Sequence, residues 1–446
     1  AEGALTNSFV PVYRRLGEEE RQRMTGALLG LLAIANGLLM LLAYLAAPLL
    51  ARLLIQDPAI VDVELTTRLI RIVFPFLPAI SFSALAMGVL QSHERFLAPA
   101  WAPVMLNVVT VALMALFPGH AVMLTVAHVL GGVAQMLFQV PALPRVRSLW
   151  HPALGGVLLL MVPFTFTTGG RQVLNVVASN VVTGLFEGAV NAFANADLFL
   201  SMMLGLFSIS PALAYYSRLS GHAADAPDRF APTLLEGLRL ISFLTIPAGL
   251  ALVVLARPLV EVTFNWRVLV GTPLDDARLL GTIAAAAPLG LAVFPVGLFN
   301  LLVRTFYIRR RVRTPVLIVL ITLTVQGILY VVLARQLGIA GLSWGAAIAG
   351  WLQLALTLVL VNRRESLDLP AFLRGIAPMW LAALVAAVPA WWLVRSELLR
   401  PEALGWFGAP IEFFLAAGFF GLVYGGCALL LNVSEARSLL RRVLRR

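Results

Sequence analysis

Lysine is absent from all 446 residues; the 33 basic side chains are arginines. A P-loop needs a lysine to reach the β- and γ-phosphates, and Schiff-base chemistry needs a lysine amine, so the chain carries neither. A genome rich in arginine codons accounts for the missing lysine, and no function is taken from it. Cysteine is nearly as scarce: Cys427 stands alone, so no disulfide forms within the chain. The five histidines (His93, His120, His128, His151 and His222) lack metal-ligand spacing. No serine or cysteine nucleophile motif appears either. These absences argue against an enzyme and imply no metal and no cofactor. Charge is thin as well, 12% of residues against 60% apolar, which is too greasy for a surface facing water.

What is there in abundance is long apolar runs. Met24 to Leu50 holds no charged residue and only Thr25, Asn36 and Tyr44 as polar interruptions. That length crosses a hydrocarbon core of roughly 30 Å. Comparable runs recur at 24–50, 67–91, 98–117, 120–142, 152–183, 186–216, 229–255, 276–307, 314–334, 337–361, 371–394 and 408–431. They predict an all-α, polytopic bundle of about twelve complete transmembrane helices.

A net charge of +11 would suit nucleic acid if the arginines were clustered on one surface, but they alternate by loop. The richer set comprises Arg14, Arg15, Arg21 and Arg23; Arg95; Arg145 and Arg147; Arg218 and Arg229; Arg309, Arg310, Arg311 and Arg313; Arg363, Arg364 and Arg374; and the tail from Arg437 to Arg446. The opposite loops mix Arg52, Arg68, Arg257, Arg267, Arg278, Arg335, Arg395 and Arg400 with Asp57, Asp62, Glu64, Asp275 and Asp276. The positive-inside rule places the first set, and both ends of the chain, in the cytoplasm. The charge is therefore topological, and no nucleic-acid partner is expected.

Several blocks carry a resemblance. The opening AEGALTNSFVPVY, the stretches Gly88 to Asn107 and Gly131 to Leu143, PALAYYSRLS (Pro211 to Ser220), LARPLVEVTF (Leu255 to Phe264) and RTFYIRRRVRTPV (Arg304 to Val316) follow one another in order. This pattern resembles the MurJ (MviN) family of lipid II flippases over nearly the whole chain. The resemblance implies a fold of fourteen helices in two lobes around a central cationic cavity, within the multidrug/oligosaccharidyl-lipid/polysaccharide exporter superfamily. It further implies carriage of lipid II, an undecaprenyl-pyrophosphate-linked muropeptide, from the inner to the outer leaflet of the bacterial cytoplasmic membrane by alternating access for cell-wall synthesis, without ATP. Membrane lipids and cell-wall synthases are the other partners it suggests. The first thirteen residues look like the end of an apolar helix already under way. On the family pattern, helix 1 and most of helix 2 precede Ala1, and residues 1–150 form the N-terminal lobe, 151–365 the C-terminal lobe and 366–446 two extra helices with a basic tail.

Charged residues inside the spans are the candidates for the site, because they are expensive there and face a cavity or a partner. Arg71 snorkels from the first turns of its helix; Glu236 and Arg239, three apart, pair with each other; Arg304 belongs to the interface. Arg171 and Asp197 remain as the deep pair. Arg171 lies twelve residues before Thr183 and Asp197 ten residues after the turn near Glu187. Those are depths of roughly 18 and 15 Å from one surface, so the two can meet. Gln172 and Asn175 extend this polar face, and Glu2 and Asn107, in the family-like blocks, complete the set of expected substrate-binding residues. A purely structural ion pair stands as the other reading of Arg171 and Asp197.

The family pattern has departures. Where helix 8 of the family carries Ala-Asp-Arg and then an acidic residue, this chain reads Ala196, Asp197, Leu198 and Ser201, keeping the aspartate and losing both other charges. The glycine and phenylalanine that usually follow the LARP block are replaced around Asn265 to Val268. Export of another polyprenyl-linked glycan or a small solute, or a non-transporting membrane scaffold, therefore stay as alternatives. Pro75, Pro78, Pro163, Gly169, Gly170, Pro211, Pro247 and Pro295 fall inside spans. Of these, Pro163 with Gly169 and Gly170 is the expected hinge, and the rest read as packing kinks.

Overall fold

Over the second half of the first long helix, alanine rather than leucine fills the interior side. The computed structural model describes residues 17–58, 61–93, 95, 97–143, 154–264, 276–309, 311, 313–396 and 407–444. In it α1 (Glu18–Leu54) buries Ala43, Ala47 and Ala51 at four-residue steps and leaves Leu38, Leu42, Leu45 and Leu49 exposed. That inversion suits a bilayer: lipid solvates leucine as well as protein does, and small residues let helices approach closely.

The chain divides into two compact units, with the boundary between Gln172 and Val173. In the first, α1 packs on α2 (Val63–Val73) and α3 (Phe76–Ser92), and α4 (Leu97–Leu116) packs on α5 (Ala121–Gln139). Asp62 caps α2, its carboxylate accepting from the backbone N–H of Glu64 (2.8 Å) and Leu65 (3.0 Å). One buried polar pair in this unit meets across helices: the Gln139 amide donates to the Ser83 hydroxyl at 2.7 Å. Arg71 leans over the Tyr44 ring, 4.8 Å from its centroid, on the exposed side.

Helix α6 (Leu154–Thr183) crosses the unit boundary. The second unit continues with α7 (Ala189–Leu204), α8 (Ser210–Asp225), α9 (Phe230–Val254), α10 (Ala256–Phe264), α11 (Asp276–Ile308), α12 (Arg313–Leu337), α13 (Ile339–Glu365), α14 (Leu369–Arg395), α15 (Gly408–Leu430) and α16 (Ser434–Leu444). Its core lies on α9 and α11, where Leu234, Leu238, Ile241, Leu298, Leu301 and Leu302 are all fully buried. These two helices approach so closely at Gly249 and Gly290 that a Cβ on either would stand 2.5 Å from the other's carbonyl oxygen. The outward faces of α12, α14 and α15 present Leu317, Ile321, Leu384, Val388, Phe414 and Leu422. Such apolar exposure belongs against hydrocarbon.

Eleven helical stretches among the described residues are long and apolar enough to cross a membrane. They fall on eleven of the twelve expected spans, and α6, 30 residues long, occupies the remaining one. The chain is an all-α, multi-pass membrane protein.

Proline sets most of the interruptions, through the N–H it lacks and its clash with the carbonyl four residues back. The helix breaks at Phe74 and Pro75 between α2 and α3. It widens into a π turn at Gly205–Ile209, just before Pro211, and it ends at Val254, four residues before Pro258. By contrast α9 continues through Pro247, and there the Tyr424 hydroxyl donates to the Phe243 carbonyl, four residues back, at 2.8 Å. Helix α6 likewise continues without interruption through Pro163, Gly169 and Gly170.

Candidate transport site

Polar side chains share one face of α7. Asn191, Ala194, Asp197 and Ser201 follow at three- and four-residue steps and are exposed, while Ala189, Ala192, Ala196, Phe199 and Leu200 are buried. Helix α6 is divided in the same way. Arg171, Gln172 and Asn175 are exposed, and Leu174, Ala178 and Val182, four apart, turn into the core. The turn joining α6 to α7 is fixed by Gly188, whose φ of +87° favours glycine. The Arg278 side chain lies where a Cβ on Gly188 would be, and its guanidinium meets Glu187 at 3.4 Å. An exposed carboxylate or guanidinium on a membrane helix is costly in hydrocarbon and is tolerated where water or a ligand charge reaches it.

The π turn adds a polar contact that the sequence alone does not flag. Ser208 is fully buried there; its hydroxyl donates to the Gly297 carbonyl (2.8 Å) and accepts from the Asn300 amide (3.1 Å). One turn on, Arg304 donates from Nε to the Asn300 carbonyl (3.0 Å) and lies 5.4 Å from the Tyr216 ring centroid. Among the described residues Arg304 has no carboxylate partner. The sequence signal for this turn is Gly205 with Pro211, six residues apart, which treating Pro211 as a packing kink passes over.

Glu236 and Arg239 do not pair with each other. Glu236 accepts from the Tyr215 hydroxyl (3.0 Å) and meets Arg218 at 3.4 Å. Arg239 reaches Glu435 of α16 at 2.9 Å and the Ser434 hydroxyl at 3.0 Å. Tertiary partners outcompete the neighbour one turn away, whose attraction in an isolated helix is worth only about 0.2–0.5 kcal/mol. Asn107 is exposed on α4 beside Val104, Val108 and Val111. Glu2 and the segment Asn265 to Val268 lie outside the described residues. Arg171 and Gln172 belong to the first compact unit, Asn175 and Asp197 to the second.

Long apolar helices bearing polar stripes are the parts from which a membrane transporter is built. The model of the family described as lipid II flippase MurJ matches residues 1–403, and the chain belongs to that family. A relative from Burkholderia cenocepacia named lipid II flippase MurJ is 30% identical, with 95% of this chain and 87% of that protein aligned. A probable lipid II flippase MurJ from Vibrio cholerae is 30% identical over 80% of this chain and 72% of its own length. Among solved structures, lipid II flippase MurJ in an inward closed conformation superposes with a TM-score of 0.78 at 20% identity, covering 100% of this chain and 89% of that one. An inward-facing MATE family transporter of the MOP superfamily superposes with a TM-score of 0.71 at 16% identity, covering 82% and 86%. Both structural likenesses bear on the fold.

Proposed function

We propose that this chain carries lipid II from the inner to the outer leaflet of the bacterial cytoplasmic membrane by alternating access, as a transporter and not an enzyme, with both ends in the cytoplasm. The observation that carries the reading is the match to the lipid II flippase family over residues 1–403. The polar stripes on α6 and α7 support it. An anionic pyrophosphate head group needs water and cations on its path, and arginine's planar fork meets phosphate oxygens bidentately. In this reading Arg171 supplies a cation, with Asp197, Gln172, Asn175, Asn107 and Glu2 as further polar contacts. Gly169 and Gly170, two to three residues before the unit boundary, act with Pro163 as the point about which α6 flexes. Cell-wall synthases that use the delivered precursor are its natural partners.

Leu198 favours a second reading, export of another polyprenyl-linked glycan. It is 66% exposed on the α7 face and stands where the family pattern has an arginine. Rescue of a bacterium depleted of its own lipid II flippase, by this protein expressed from its complete gene, separates the two. Lipid II transport predicts restored growth and cell shape. Normal membrane abundance without growth contradicts it and leaves the other glycan.

A further inference from the structure

Away from the stripes of α6 and α7, the second unit holds a basic cleft of about 360 Å³ where α11 and α13 end. Its floor is apolar: Phe306 and Val361 are buried, and Thr305 spends its hydroxyl on the Leu302 carbonyl at 2.7 Å. Arg309, Arg311 and Arg364 stand around it with a single acid, Glu365. That acid is already engaged, since Arg309 holds it through two hydrogen bonds of 3.0 and 2.7 Å. The pairing raises the pKa of the Arg309 guanidinium, the hydrogen bond to Glu365 outweighing the opposing effect of burial. Arg309 also lies 4.4 Å from the Phe230 ring centroid, which fixes it as part of the wall.

Arg311 and Arg364 differ. Among the described residues neither has a carboxylate partner. Arg311 is nevertheless held in place, its backbone N–H donating to the Phe306 carbonyl at 2.8 Å. Arg364 lies 5.9 Å from the Phe306 ring centroid. Two uncompensated guanidinium groups over a half-open cleft, at the ends of two membrane-spanning helices, make a receptor for an anion with several oxygens. Basic pockets between such helix ends take phospholipid head groups, because the leaflet presents phosphates at that depth while the acyl chains continue into hydrocarbon. Leu317 and Ile321 of α12, the next helix in the chain, are exposed one to two turns beyond Arg313 and offer an apolar surface to hydrocarbon.

We infer that Arg311 and Arg364 bind the phosphate of an anionic phospholipid head group, in a site separate from the path taken by the transported lipid. The cleft holds one such head group, and Arg309, locked by Glu365, keeps its wall in shape. The inference does not depend on which lipid-linked glycan is transported.

Native mass spectrometry of the complete protein, released from detergent with phosphatidylglycerol, phosphatidylcholine or inorganic phosphate alone, tests it. The parent retains one phosphatidylglycerol more tightly than phosphatidylcholine. The double variant Arg311→Gln with Arg364→Gln binds that lipid about thirtyfold more weakly, at roughly the effect of two basic side chains near a membrane surface. Arg335→Gln, at the far end of α12, leaves binding unchanged and shows that the loss is not one of general charge. Equal retention of the two lipids, or a double variant that binds as the parent does, overturns the site. Retention of inorganic phosphate with the same dependence on Arg311 and Arg364 overturns the lipid assignment.

Discussion

Arg171→Ala in the complete protein abolishes rescue of a flippase-depleted strain while leaving its membrane abundance near that of the parent. Arg171 is exposed on α6, so truncating it opens no cavity in the core. What it removes is a guanidinium that, in the proposed function, meets the pyrophosphate as the head group leaves water. Hydrogen bonds to charged groups contribute about 1.5–3 kcal/mol each, and a bidentate contact loses two at once, enough to slow transport by about a hundredfold or more. The exchange Arg171→Asp with Asp197→Arg gives the sharper result. A substrate site needs the cation where the phosphate arrives, so the exchanged protein stays inactive. An ion pair that only holds helices together works with its charges in either order. An exchanged protein as active as the parent would place the phosphate contacts elsewhere.

Gly290→Val removes the folded protein altogether. A Cβ at 290 would lie 2.5 Å from the Gly249 carbonyl oxygen, 2.8 Å from Val253 Cγ2 and 3.0 Å from the Val253 backbone nitrogen. Two of these neighbours are backbone atoms of α9 and do not rotate away. Relief requires α9 and α11 to part, and with them Leu238, Ile241, Val293 and Leu298, all fully buried. Overpacking a close-packed core costs about 1–3 kcal/mol even where side chains give way, so the cost here is at least about 3 kcal/mol. Size-exclusion profiles and melting of the detergent-purified protein read the effect. Gly290→Val should give an aggregated peak or none, while Gly418→Ala, with no atom within 4 Å of its Cβ, should elute and melt as the parent does. A monodisperse Gly290→Val protein with the parent's melting temperature would refute the α9–α11 approach.

The spans were legible because a bilayer imposes its thickness on the sequence. Little besides a membrane crossing produces an apolar run such as Met24 to Leu50 followed by an arginine-bearing loop. Breaks inside the spans were less legible, because a proline's effect depends on whether another group serves the carbonyl four residues back. Pro247 and Pro211 look alike in sequence. Tyr424, 181 residues from Phe243, serves that carbonyl where α9 continues, whereas the helix before Pro211 opens into a π turn. The partner of Arg239 was hidden for the same reason, since Glu435 is 196 residues away. The polar stripe of α7 could be read from the spacing of Asn191, Asp197 and Ser201, but which side of the helix the core would take could not. That is decided by Ala192 and Ala196, whose small side chains let α7 settle on α11. The cleft at Arg309, Arg311 and Arg364 was visible only as topological charge, because the pair that shapes its wall, Arg309 and Glu365, is separated by 56 residues.

The most direct measurement is movement of lipid II itself. The complete protein is reconstituted into liposomes that carry lipid II labelled on its head group, without ATP, and the fraction reached by an external quencher is followed. Lipid II flipping predicts that protein-bearing liposomes exchange the label between leaflets, that protein-free liposomes do not, and that Arg171→Ala abolishes the difference. A label that stays in its original leaflet with the parent protein present, in liposomes shown to contain folded protein, would contradict the assignment of lipid II as cargo.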